Sequence, residues 1–127
     1  MILTYKAQSD FWKWYLLPET LKSHKLDSMF KYSNGNAIKV NFLAESKVCQ
    51  NALIIEWFDS VGIHVIVSPY SYAYLFANGA DLIENDSTWS YFIYKGTKYI
   101  SDGVDFENRT EATTKAIKRA NVIYNNK

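Results

Sequence analysis

An amphipathic helix near the C-terminal end constrains this chain more than any other feature. Between residues 108 and 124, Ala112, Ala116, Ala120 and Ile123 recur at helical spacing, with Ile117 and Tyr124 beside them. Lys115, Lys118 and Arg119 fall on the other side, so the segment carries one stripe of small apolar groups and one wet face. Alanines let a helix axis come close to what it covers, and a pleated sheet is the flat surface that accepts such an approach. Asn108 followed three residues later by Glu111 has capping-box spacing, which sets the start of the helix.

The segments before it supply that sheet. Residues 44 to 61 carry Val48, Cys49, Ala52, Leu53, Ile55, Trp57, Phe58 and Val61, which predicts a helix buried on most sides. Gly62 stops it by taking the left-handed position, with Ile63 folding back on Phe58. Ile63, Val65 and Val67 then alternate with His64, Ile66 and Ser68 up to Pro69, a strand. Trp89, Tyr91 and Ile93 alternate with Ser90, Phe92 and Tyr94, and Lys95-Gly96 separates them from Lys98, Tyr99 and Ile100, a tight hairpin. Between Pro69 and Ser87 two readings stand. Tyr72, Tyr74 and Phe76 alternate as a strand would, whereas Ser68-Pro69 is also a fit beginning for a short helix ending at Asn78-Gly79; the aromatics favour the strand.

The order from residue 44 is therefore helix, three to four antiparallel strands, helix. That order predicts an α+β fold with the helices on one face of the sheet. Residues 1 to 42 read as a helical, aromatic-rich N-terminal extension of the same single domain, which spans residues 1 to 127. Ser9-Asp10 is placed to cap a short helix through Phe11, Trp12, Trp14, Tyr15, Leu16 and Leu17, and Pro18-Glu19-Thr20 begins another. Residues 33 to 36 form a turn signal, and Ile38, Val40 and Phe42 fit a short strand.

Composition narrows the function classes. One cysteine, Cys49, rules out an intramolecular disulfide, and its apolar helical setting predicts a buried, inert thiol. The first residues lack the pattern of a secretory signal and no apolar run is long enough to span a bilayer, so a cytoplasmic protein with no membrane contact is expected. His24 and His64 have no ligand-spaced neighbours, the glycines are scattered, and the acidic groups Asp102, Asp105, Glu107 and Asp81, Glu84, Asp86 read as solvated loops. No metal, no cofactor and no catalysis are expected.

Binding remains. Aromatics make up 17% of the chain, with ten Tyr and four Trp, and surplus rings of these types gather at interfaces. Four aromatics within one turn and a half cannot all face inward, which makes Trp12, Trp14 and Tyr15 candidate protein contacts, with Tyr72 and Tyr74. Charge is uneven. Residues 1 to 42 hold six Lys against three acids, residues 43 to 87 one Lys against six, and residues 88 to 127 seven basic groups against four acids. Such asymmetry suits a protein partner. Arg109, Lys115, Lys118 and Arg119 offer an alternative, because double-stranded RNA-binding domains share the order helix, three strands, helix and set Lys near the start of the final helix.

Trp57-Phe58, residues 63 to 65, residues 89 to 94, Gly96, Asp105-Phe106 and the tail from Arg109 to Asn125 together resemble a class of small proteins encoded by phages and prophages of AT-rich bacteria. The resemblance implies an anti-defence protein of the anti-CRISPR kind, acting in the host cytoplasm against an RNA-targeting (type VI) effector. Its partner would be the host nuclease or its ribonucleoprotein complex. A phage structural or assembly role is the further alternative.

Overall fold

The computed structural model describes residues 1–27, 35–69 and 88–126. These form α1 (Tyr5–Tyr15), α2 (Pro18–Ser23), α3 (Asn36–Ala44), α4 (Lys47–Ser60), β1 (Ile63–Ser68), β2 (Trp89–Lys95), β3 (Lys98–Phe106) and α5 (Arg109–Asn125). The class is α+β, with a three-stranded antiparallel sheet in the order β1-β2-β3 and a helical, aromatic-rich N-terminal segment.

Two glycines set the register. Gly62 (φ 82°) takes the left-handed position after α4, and its N–H donates to the Asp59 carbonyl at 3.1 Å. Its own carbonyl accepts from the Gly96 N–H at 2.9 Å, so the residue that ends the helix also aligns β1 with the hairpin. Gly96 (φ 61°) and Thr97 join Lys95 to its partner Lys98, the pattern of a type II′ turn. Pairing then runs from Ile63 opposite Lys95 to Ser68 opposite Ser90.

β3 slips twice against β2, between Trp89 and Tyr91 and between Ile93 and Tyr94. Asp105 takes a left-handed φ of 66° at the first slip, the conformation found in the G1 type of β-bulge. A Cβ at Gly103 would overlap the Tyr91 ring, which stacks on Phe106 with centroids 5.7 Å apart.

Ile63, Tyr91 and Ile93 carry the sheet side of the core, and α4 supplies Ile54, Trp57 and Phe58. From α5 come Ala116, Ile117, Ala120 and Tyr124. α5 touches all three strands, α4 touches β1 and α5, and α1 lies against both α4 and α5. Ala112, Ala116 and Ala120 are fully buried, so the alanine stripe closes the sheet face. The capping box is also present: Asn108 Oδ1 accepts from the Glu111 N–H at 2.8 Å, and the Glu111 carboxylate takes the Glu107 N–H at 3.0 Å.

Several expectations need correcting. Ser9-Asp10 does not cap α1, which begins at Tyr5. Its N-terminus is capped from a distance: Asn121 Oδ1 accepts the Thr4 N–H at 3.0 Å and Asn125 Oδ1 the Ala7 N–H at 2.8 Å, while both amide groups donate back to Thr4. Ile38, Val40 and Phe42 lie in a helix rather than a strand. Ile38 and Phe42, one turn apart, are buried, and Val40 points out. The helix expected over residues 44 to 61 breaks at residues 45–46, where Ser46 Oγ accepts the Cys49 N–H at 3.3 Å. Cys49 and Val48 are consequently exposed, not buried. Asp102 and Asp105 belong to β3 rather than to a loop. The alternative readings of residues 69 to 87 concern positions that, apart from Pro69, lie outside the described residues.

Ile117→Asp is expected to cost about 4 kcal/mol or more by burying an unpaired charge, whereas the exposed Lys115→Ala changes stability by less than about 0.5 kcal/mol. Thermal melts of both variants check this. A second expectation concerns pH. The Lys6 ammonium and the Tyr124 hydroxyl, the latter at 2.7 Å, both donate to Asp10 and hold its carboxyl below the ordinary 3.8. Burial, and then the bond to Asp10, raise Tyr124 above the ordinary 10.0. The Asp10 contribution is thus present above about pH 4 and lost as pH falls, and that of Tyr124 is present below about pH 10 and lost as pH rises. Asp10→Asn should flatten the acid limb of a stability-against-pH curve, and Tyr124→Phe the alkaline limb.

Candidate functional site

The N-terminal rings form a pile rather than a surface. Ala7, Phe11 and Tyr15 recur every fourth residue along α1 and are buried, which turns one helix face into the core. Phe11 lies within 6 Å of Trp12, Trp14, Tyr15, Phe42 and Trp57, at its centre. Tyr15 stacks on Phe11 at 5.6 Å and is only 4% exposed, so it offers a partner no surface. Its burial also lifts the hydroxyl above the ordinary tyrosine range.

Trp12 and Trp14 are half-buried at the edges of this pile. Trp12 meets Phe42 edge-on at 5.2 Å, and Lys39 Nζ lies 5.5 Å from its ring centre. Trp14 sits beside His24 and lines an open hollow with Lys13, Leu17, Trp57 and Val61. Tyr72 and Tyr74 lie outside the described residues.

The four cations of α5 do not converge. The Arg109 guanidinium lies over Trp89 at 4.7 Å, tying the start of the helix to β2. Arg119 Nε donates to Ser101 Oγ at 3.3 Å, towards β3. Lys118 turns to the other flank, where it lines a groove with α4, and Lys115 stands exposed. Among the described residues neither lysine forms an ion pair. Asp102, Asp105, Glu107 and Glu111 are near in sequence and dilute the positive field over the helix start.

A surface that sequence reasoning overlooked lies at the α3–α4 corner. Val40 is 68% exposed, Leu43 50% and Val48 65%, and Ala37, Ala44, Cys49 and Ala52 are exposed around them. The corner is braced by the Gln50 amide, which donates to the Leu43 and Glu45 carbonyls at 3.3 and 3.0 Å. The signal was present: α3 has only Asn36, Lys39 and Asn41 as polar residues, so it is apolar on both sides. Lys39 and Lys47 flank the corner on one sign, Glu45 and Glu56 on the other.

His64 Nδ1 pairs with Asp59 at 2.9 Å and His24 Nε2 with Glu56 at 3.3 Å, both on the surface. Among the described residues no cluster of three or more His, Cys, Asp or Glu is close enough to hold a metal ion, and no helix is long and apolar enough to cross a membrane. Comparison of the chain with protein-family models, with curated proteins and with solved structures yields no match.

Cys49 at the edge of the corner reports directly on its openness. One equivalent of an aromatic disulfide reagent should label the folded protein within about tenfold of the rate for the unfolded chain, because the thiol is exposed. Protection a hundredfold or greater in the isolated protein would contradict an open corner.

Proposed function

We propose that this chain is a non-catalytic binding protein that acts by stoichiometric contact with another protein through its α3–α4 corner. The observation that carries the proposal is the outward apolar face of α3, continued by Val48 and Ala52 of α4. A surface helix normally turns polar residues to water, and one that is apolar all round is a helix waiting to be covered. The corner is short of charged groups at its centre and has both signs at its rim, the anatomy of a recognition surface. Trp12 and Trp14 are a second, smaller contact on the same N-terminal layer.

The class of partner follows from the resemblance to phage and prophage proteins: an RNA-guided, RNA-cleaving effector of the host, with the chain as its anti-CRISPR-like inhibitor in the host cytoplasm. Titrating the purified chain into such an effector should reach a plateau of inhibition at one equivalent. The double variant Val40→Glu/Val48→Glu should lose at least tenfold in inhibitory potency with an unchanged melting temperature, since both positions are exposed. Undiminished inhibition by that variant rules the corner out.

A second reading rests on topology. The order α4-β1-β2-β3-α5, with sheet order β1-β2-β3, is the arrangement on which double-stranded RNA-binding domains are built. Duplex affinity that falls steeply with salt, and that disappears in Lys115→Glu/Lys118→Glu/Arg119→Glu, would favour it over the protein-binding reading. The dispersal of those cations and the acids among them argue against it.

A further inference from the structure

Between the first turns of α4 and the outer flank of α5 runs a groove of about 400 Å³. Lys47 and Asn51 line it from α4, Thr114 and Lys118 from α5, and Ile2 and Leu43 form an apolar end. Its volume lies within the range of small-molecule clefts, roughly 300 to 1,000 Å³.

Asn51 gives the groove its meaning. The residue is only 7% exposed, yet its side-chain amide has no hydrogen-bond partner among the described residues. Every fully sealed side-chain nitrogen and oxygen among them is paired, so the Asn51 amide must open outward, at the place where this groove meets a smaller hollow beside Val48 and Arg109. A nearly buried amide left unpaired loses stability unless something outside the chain completes it. Two lysines stand beside it with no ion pair, one of them, Lys47, at the first position of α4. The Thr114 hydroxyl adds a rotatable donor.

From these groups we infer that the groove binds the phosphoryl group of a small phosphorylated molecule. Two ammonium groups are point charges that surround a tetrahedral oxyanion well, whereas no arginine lines this groove to offer the planar fork that suits a carboxylate. The amide and the hydroxyl donate to the remaining oxygens. The rest of the ligand lies on Ile2 and Leu43, in a space suited to a molecule of mononucleotide size. The groove borders the α3–α4 corner, sharing Leu43 and Lys47 with it, but Val40 and Val48, whose substitution tests the protein-binding reading, do not line it.

Titration of the nitrogen-15-labelled chain with adenosine monophosphate, at constant ionic strength, tests it. Saturable shifts are expected at the Asn51 side-chain amide and at the Thr114 and Lys118 backbone, with a Kd of about 1 mM or tighter. Inorganic phosphate should shift the same signals, and adenosine should not. Lys47→Gln and Lys118→Gln should each weaken binding at least fivefold, while Lys115→Gln, on the exposed crest of α5, should not. These surface substitutions leave the fold intact, so folding does not confound the result. The assignment is overturned by the absence of saturation at 10 mM, by equal weakening in Lys115→Gln, or by shifts that appear with duplex RNA and not with the mononucleotide, which would make the phosphate that of a nucleic-acid backbone.

Discussion

Everything in this structure depends on α5 being used on two sides at once. Its alanines let the helix axis close onto the sheet, where Ile117 and Tyr124 fill the space the small side chains leave. One turn further on, Asn121 and Asn125 reach beyond the sheet to the start of α1 and accept the N–H groups that no residue of α1 accepts. Orphan donors at a helix start cost free energy when shielded from water, so a pair of asparagines one turn apart turns a cost into a docking geometry. Tyr124 adds the bond to Asp10. The N-terminal layer is therefore joined to the α-β-β-β-α core by polar groups of fixed direction as well as by its rings.

That join explains where the aromatic excess went. Once α1 lies on α4 and α5, Phe11 becomes the hub of a ring cluster that takes in Tyr15, Phe42 and Trp57, and the rings that looked most available for a partner are largely used internally. Among the described residues, the large hydrophobic side chains that stay exposed are mostly aliphatic, with Tyr5 and Tyr99 the aromatic exceptions. The interior face of α3 satisfies this cluster through Ile38 and Phe42, and its other face, with Val40 and Leu43, is left in water. Free energy favours covering such a surface, and nothing in the described layer does so.

The parts of the fold legible in the sequence were those decided locally. Gly62, Gly96 and the Asn108–Glu111 box each act within a few residues, and the period change from α4 to β1 follows the burial of single faces. The misread parts depended on distant partners. Ser9 and Asp10 have the chemistry of a cap, but the cap is supplied from more than a hundred residues away. In the run Ile38, Val40, Phe42 a period of two coincides with the i, i+4 pair of a helix, and only the cluster around Phe11 decides which two residues go inside. Cys49 was misjudged for a related reason. A helix apolar by composition reads as buried on most sides, whereas its first turn and a half stands at an outer corner.

The same distinction bears on where a partner would be met. The α5 cations are partly committed to the chain itself, Arg109 to Trp89 and Arg119 to Ser101, which orients the helix ends at the expense of a continuous basic face. The corner is the reverse case. Its carbonyls are already tied by Gln50, so the backbone there is held without help from any ligand, and its apolar side chains are presented on a rigid support. Binding to a preorganised surface avoids the entropy of ordering it, and a short apolar face on a fixed corner contributes more to affinity than the same residues on a loop. A chain of this size that recognises another protein would gain most by placing its contact where the fold is already rigid, and among the described surfaces the α3–α4 corner best meets that condition.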